Sequence, residues 1–233
     1  MLPAYLVSEI FTNSLFIKYV RKDTPMKKYF MLSVALLVLL ASAKVMASDN
    51  AARTKVIEDI KAAFTGETTA SAKYAAYAKK AKAEGYPKIA LLFEAASKSE
   101  SIHAGNHKAA LEQLGEKAGE VTPKFEVKST KENLEDAVKG ETYEVTTMYP
   151  GFIKDANEAN VSIALISFNY AYQTEQKHKV MYTNALKMLE EKKEKSMPSQ
   201  YEVCTTCGNT YEGTAPARCG ISMTPRDRFV TFQ

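Results

Sequence analysis

Cysteine and histidine are scarce in this chain of 233 residues, three of each, so where they fall is informative. All three cysteines lie in the last thirty residues. That clustering points to a local metal site rather than to a disulfide framework. Excess charge is missing from most of the chain as well. Residues 1–47 hold six Lys/Arg and two acids, and the remainder carries 25 bases and 25 acids, a net charge of zero. A neutral body gives no electrostatic case for nucleic acid as a partner. Strand signals are few, and proline is absent from Ala51 to Ala83. The apolar run from Phe30 to Ala43 is short for a membrane span.

That run is part of a leader. Met26-Lys27-Lys28 is basic, Phe30 to Ala43 is apolar, and Val45-Met46-Ala47 puts small residues where a signal peptidase reads. Basic, apolar, small is the order of a secretory signal. The pattern predicts a leader over 1–47, with translation starting at Met26 and cleavage after Ala47. The mature chain is then exported, to the periplasm or beyond. The alternative is an uncleaved anchor in a membrane.

Beyond the leader the chain reads as helical. The stretch Ala51 to Ala83 is rich in Ala, Lys and Glu, which favours helix. Gly85 and Pro87 mark a turn. A second helix is predicted from Lys88 to Leu114, stopping at Gly115. A third starts near Ser129 or Thr130, with Glu132 as an acid in its first turn, and runs to about Asn157. A fourth runs from about Ala159 to Glu194. Glu116 to Lys128 contains Gly119, Pro123 and β-branched residues and reads as extended. A helix of about 27 residues is ~40 Å long, and about 13 extended residues reach ~43–47 Å, so this connection can run the length of a bundle. A four-helix bundle with one long crossover is the ferritin-like variant.

The two halves repeat. Gly66-Glu67 in the first helix parallels Gly140-Glu141 in the third. Phe93 stands seven residues before Glu100, and Phe168 seven before Glu175. Each of those glutamates is followed three residues later by a histidine, His103 and His178. A carboxylate and an imidazole at that spacing share one face of a helix. Two such pairs, each joined by a carboxylate from a neighbouring helix (Glu67 and Glu141), make a cage for two metal ions. Buried carboxylates are costly unless paired or metal-bound. Oxygen-rich ligation with one imidazole per metal suits iron or manganese better than structural zinc. Glu144, one turn after Glu141, is by spacing either a fifth carboxylate or a surface residue. His107, one turn after His103, reads as solvated or as an outer-sphere histidine, because its repeat partner Tyr182 cannot easily play the same part.

On these residues the chain resembles the rubrerythrin family over about residues 51–233. Gly66-Glu67 followed by Tyr74, and Gly140-Glu141-Thr142-Tyr143-Glu144 followed by Met148-Tyr149-Pro150, carry the likeness. The resemblance implies a di-iron site with Glu67, Glu100, His103, Glu141, Glu144, Glu175 and His178 as ligands. It implies that Glu144 is a movable ligand, with one iron shifting between it and His103. It also implies that Tyr74 and Tyr149 hydrogen-bond the ligating carboxylates, as outer-shell partners do. The domains expected are a ferritin-like domain over 48–195 and a rubredoxin-like domain over 196–233.

In the C-terminal module Cys204-Thr205-Thr206-Cys207-Gly208 is a metal knuckle, and Cys219-Gly220-Ile221-Ser222 stands where a second belongs. Tyr211, Phe229 and Phe232 are expected to pack a small core. Rubredoxin-like domains hold one iron with four thiolates, and here Ser222 takes the fourth place. Three outcomes are open: Ser222 ligates as an alkoxide, water takes its place, or Cys204 and Cys207 oxidise to each other. The resemblance implies a peroxidase that reduces hydrogen peroxide to water. Electrons would come from an external donor through the C-terminal iron, with the relay crossing between subunits of a homodimer or larger assembly. The alternative is a ferritin-like ferroxidase or iron-binding protein without peroxide turnover.

Overall fold

The computed structural model describes residues 25–233, with side chains described almost entirely from residue 51 onward. The chain divides into two compact units, Met1–Asn50 and Ala51–Gln233. The part of the expected leader before residue 25 lies outside the described residues. Among the described residues no helix is long and apolar enough to cross a membrane.

The first helix, α1, is Pro25–Ala83. It begins far upstream of the Ala51 start that composition suggests. Between Met26 and Thr65 there is neither glycine nor proline, so nothing in the sequence stops the helix on its N-terminal side. Helix α2 is Pro87–Gln113. It ends where Gly115 takes a φ of +83°, a left-handed conformation that glycine adopts at little cost. The Glu116 N–H then closes back on the Leu111 carbonyl at 2.9 Å.

The crossover after α2 has no regular structure. Residues 117–121 flank Lys61, Phe64 and Thr65 of α1, and residues 124–128 flank Thr69, Lys73 and Tyr77. It therefore runs along α1. A full capping box, Ser129 with Glu132, starts helix α3, Thr130–Tyr143.

The third helix is not one continuous α-helix. A π-helical turn, Glu144–Met148, separates α3 from α4, Tyr149–Glu158. The Tyr149 N–H bonds the Glu144 carbonyl five residues back. Pro150 has no N–H to continue the ordinary ladder. The repeat registers the same extra residue. Glu67 and Glu141 are 74 apart, whereas Tyr74 and Tyr149 are 75 apart. Helix α5, Ser162–Glu190, follows a tight turn at Asn160 (φ 54°) and ends before Lys192 (φ 57°). Both ends fall inside the predicted span because those two left-handed residues break the helix.

The C-terminal module is a three-stranded antiparallel sheet in the order β2-β1-β3, with β1 Tyr201–Cys204, β2 Thr210–Glu212 and β3 Phe229–Phe232. Strand β1 is buried along its whole length and packs on α2. Met197, Tyr201 and Val203 share an apolar core with Tyr74, Phe93 and Tyr182 of the bundle, and Phe232 packs against it. Phe232 therefore joins the bundle core. The module's own cluster is the three cysteines with Tyr211 and Phe229, and Tyr170 of α5 closes it. A second apolar cluster, with Val56, Ile60, Leu111, Tyr149 and Phe168, packs the other part of the bundle.

Candidate metal centres

The cage forms where α1, α2, α3 and α5 face one another. Glu67, Glu100, Glu141, Glu175, His103 and His178 are each at most 1% exposed. Their donor atoms fall into two overlapping groups: Glu67, Glu100, His103 and Glu175 in one, and Glu100, Glu141, Glu175 and His178 in the other. Glu100 and Glu175 belong to both. Glu100 approaches His103 Nδ1 at 2.9 Å and His178 Nδ1 at 3.1 Å. Glu175 approaches both ring nitrogens at 2.7 Å. Two bridging carboxylates, each flanked by a terminal carboxylate and an imidazole, form the donor set of a dinuclear site.

Without ions this arrangement is electrostatically expensive. Burial pushes the Glu67 and Glu141 carboxyls well above the usual range, and neighbouring carboxylates add to the rise. Burial also pushes Glu175 up, but His103 and His178 outweigh it and hold Glu175 at about 2. Burial would lower His178; Glu100 and Glu175 instead raise it to about 9. Glu67 Oε2 and Glu141 Oε2 have no hydrogen-bond donor, and the Glu100 and Glu175 oxygens turned to the cage have only the imidazole Nδ1 atoms beside them. Buried oxygens that all converge on one space fit metal cations, which would supply the missing positive partners.

The tyrosines hold the terminal carboxylates crosswise. Tyr74 of α1 donates to Glu141 Oε1 of α3 at 2.7 Å, and Tyr149 of α4 donates to Glu67 Oε1 of α1. In each carboxylate Oε1 is occupied and Oε2 is left for a metal. Glu144 stands outside both donor groups, at the start of the π-helical turn. It lies within electrostatic reach of Glu175, Glu100 and His103, and burial raises its carboxyl well above the usual range. Its repeat counterpart is Ala70, so this carboxylate has no equivalent in the other half. His107 is completely buried rather than solvated. Its ring nitrogens meet Tyr149 Oη at 3.1 Å and Ser167 Oγ at 2.7 Å.

The second centre lies in the C-terminal module. Cys204, Cys207 and Cys219 are buried thiols with no disulfide between them, and their sulfurs lie within 4.8 Å of one another. Cys207 Sγ is 3.4 Å from Cys219 Sγ, and Ser222 Oγ is 3.3 Å from Cys204 Sγ. Ser222, in contact with Cys204, is the candidate fourth donor beside the three sulfurs. It is bonded to Thr224 Oγ1 at 2.8 Å, and Thr224 donates to Thr206 Oγ1 at 2.8 Å. The contact with Cys207, with further donors from Ser222 and backbone amides, draws the Cys204 thiol down to about 4. A thiol poised to ionise beside two others suits a cation that takes thiolates.

The two centres touch. His103 Nε2 lies 3.0 Å from the Cys207 carbonyl oxygen, and His178 Nε2 lies 2.9 Å from Thr210 Oγ1. Both cage imidazoles therefore turn Nδ1 to the cage and Nε2 to the module. Ser99 donates to the Gly208 carbonyl at 2.6 Å, Asn106 to the Thr206 carbonyl at 2.9 Å and Lys177 to Asn209 Oδ1 at 2.6 Å. The resemblance implied a relay between subunits; here the module meets the cage of its own chain. Sequence reasoning missed these docking residues. Among them Thr206 and Gly208 carried a signal, as part of a knuckle.

The helix arrangement and the paired Glu/His donors define a ferritin-like protein with a candidate dinuclear centre. The rubrerythrin family model matches residues 58–186, and the chain belongs to that family. It is similar to nigerythrin of Nitratidesulfovibrio vulgaris, at 34% identity over 190 residues, covering 80% of this chain and 91% of the relative. It is also similar to rubrerythrin-1 of Clostridium acetobutylicum, at 34% identity over 183 residues, covering 76% and 93%. A solved structure of nigerythrin in a mixed-valence state superposes with a TM-score of 0.68 at 35% identity, covering 76% of this chain and 86% of that one. A Desulfovibrio desulfuricans bacterioferritin shares the fold, with a TM-score of 0.58 at 19% identity over 74% of this chain and 97% of that one.

Proposed function

We propose that the chain is a non-haem di-iron peroxidase that reduces hydrogen peroxide to water and draws its electrons through the C-terminal site. Glu67, Glu100, Glu141, Glu175, His103 and His178 would hold two irons, with Glu144 as an additional, movable ligand. Cys204, Cys207, Cys219 and Ser222 would hold a third. When bound, the cage irons supply one electron each and act as Lewis acids toward peroxide.

The chain's own residues do the rest. Tyr74 and Tyr149 fix the terminal carboxylates so that Oε2 of each faces the cage. Packed apolar clusters around the cage exclude bulk water, which strengthens every electrostatic contact inside. The observation that carries the reading is the contact between His103 Nε2 and the Cys207 carbonyl. It joins a backbone atom of one candidate ligand to a ring atom of another, and so gives electrons a short bonded route between centres.

A homodimer or larger assembly, an external electron donor and an exported location complete the proposal; they rest on the family resemblance and on the leader. Rapid mixing of the reduced, iron-loaded protein with peroxide and, separately, with dioxygen tests the activity. Fast stoichiometric oxidation by peroxide with slow oxidation by dioxygen supports it. The reverse order would make the protein a ferroxidase.

A further inference from the structure

The donor pairs of the cage repeat in both halves, but the outer polar chain of one half runs further than that of the other. The repeat spacing in α2 and α5 is 75 residues, from Glu100 to Glu175 and from His103 to His178. By that spacing His107 corresponds to Tyr182, and Ser167 to Leu92. In one half Glu141 is bonded by Tyr74, whose ring lies 5.3 Å from that of Tyr182. The Tyr182 hydroxyl has only that of Tyr74 for company, and the line stops there because Leu92 packs in the apolar cluster of the same half. In the other half four polar groups connect in line: Ser167, His107, Tyr149 and Glu67.

The polarity of that line follows from the number of protons available. A phenol has one, and Tyr149 gives it to Glu67 Oε1. Toward His107 the phenol oxygen can only accept, so His107 Nε2 carries a proton. Burial, with the charge of His103 adding to it, lowers His107 to about 3, so its ring is neutral. Nδ1 is then bare and accepts from Ser167 Oγ. Every donor points toward the cage. Ser167, at the outer end, retains 4% exposure.

We propose that His107 is a proton relay: protons consumed at the cage enter through Ser167, His107 and Tyr149 to Glu67. The inference rests on the peroxide reading for the fate of those protons. Reduction of one peroxide breaks the O–O bond and takes two electrons, from the cage irons, and two protons, from solvent, to give two waters. A concerted shift along the chain passes one proton inward. Ser167 takes a proton from solvent as it gives its own to Nδ1, Nε2 gives its own to Tyr149, Tyr149 gives its own to Glu67 Oε1, and Glu67 passes it to a peroxide oxygen as the O–O bond breaks. No group keeps a charge, and reorientation resets the line.

His107→Gln separates relaying from positioning. The amide can donate to Tyr149 and accept from Ser167, but it cannot pass a proton through itself without a high-energy tautomer. The test uses full-length protein. Iron content and the ferric absorption spectrum are read first, then single-turnover oxidation by peroxide in H2O and D2O. His107→Gln should keep two cage irons and the wild-type spectrum, slow the peroxide step about 10- to 100-fold and change its solvent isotope effect. Ser167→Ala, a smaller change, should slow the same step in the same direction. Wild-type rate and isotope effect in both variants would overturn the relay. Nitrogen NMR of the zinc-loaded, redox-silent protein supplies a readout that needs no peroxide. The relay requires the Nε2–H tautomer at His107, and the Nδ1–H tautomer would overturn it. If wild-type protein leaves peroxide untouched while His107 shows the required tautomer, the peroxidase reading falls and the proton path stands for another oxidant.

Discussion

His103 and Gly208 are in contact across the junction of bundle and module so closely that the glycine has no room for a side chain. A Cβ on Gly208 would lie 2.4 Å from His103 Nε2, 2.7 Å from its Cδ2 and 2.9 Å from Ser99 Oγ. The residue also sits at φ +78°. Gly208→Ala therefore pushes against a ring that the cage holds from its other side. The expected cost is about 1–3 kcal/mol, read by thermal or denaturant unfolding. Cage iron should be largely retained while re-reduction of the cage by an external reductant slows. Unchanged unfolding and re-reduction would mean that the junction is loose.

Thr210→Val tests the second junction. Valine keeps the branched shape that suits β2 but removes the oxygen facing His178 Nε2 at 2.9 Å. Loss of an outer-shell partner to a ligating histidine should weaken cage metal binding about 10- to 100-fold, measured by competition with a chelator. Metal in the C-terminal site should be unaffected.

Ser222→Cys should convert the C-terminal site to four thiolates. Ser222 Oγ lies 3.3 Å from Cys204 Sγ, so a sulfur at this position falls among the others. The expected outcome is tighter iron binding, stronger iron–thiolate absorption and a higher reduction potential than wild type, because the softer ligand favours the ferrous state. Ser222→Ala should bind iron more weakly than wild type. Equal affinity in Ser222→Ala and wild type would remove Ser222 from the ligand set.

Glu144→Ala should retain two cage metals per chain, since Glu144 lies outside both donor groups. Its proposed role as a movable ligand predicts a slower peroxide step, by about tenfold or more. Elemental analysis combined with stopped-flow kinetics checks both halves of this expectation.

Arg226→Ala gives a pH signature. The Arg226 guanidinium bonds both Glu202 oxygens at 2.7 and 2.6 Å, and Ala215 N–H and Gln200 also donate to that carboxylate. Arg226, with the help of those donors, holds the Glu202 carboxyl below its ordinary value of 4.5. A lowered acid contributes stability above its unfolded-state pKa and loses that contribution as pH falls through its folded-state pKa. Wild type should be more stable than Arg226→Ala at pH 7, by a margin that solvent screening of the exposed guanidinium keeps small. The two unfolding curves should converge below about pH 4. A gap that persists in acid would assign the effect to packing.

Periodicity and repetition made much of the bundle legible. Helical spacing put Glu100 with His103 and Glu175 with His178 on single faces, and a duplicated sequence implied that the two faces meet. The capping residues Ser129 and Glu132 marked where α3 begins. The π-helical turn was less visible: it shows in sequence only as one extra residue between Glu141 and Tyr149. The upstream extension of α1 was hidden behind a leader pattern that is itself helix-forming.

The sequence alone determined which side chains could ligate metal and which helices carry them, because a helix face follows from local spacing. Tertiary structure decided what those side chains meet on their outer sides. The pairing of His103 with the Cys207 carbonyl, of His178 with Thr210 and of His107 with Ser167 joins residues 32 to 104 positions apart. No local pattern encodes such contacts, since they arise only when the C-terminal sheet and α5 have packed against α2.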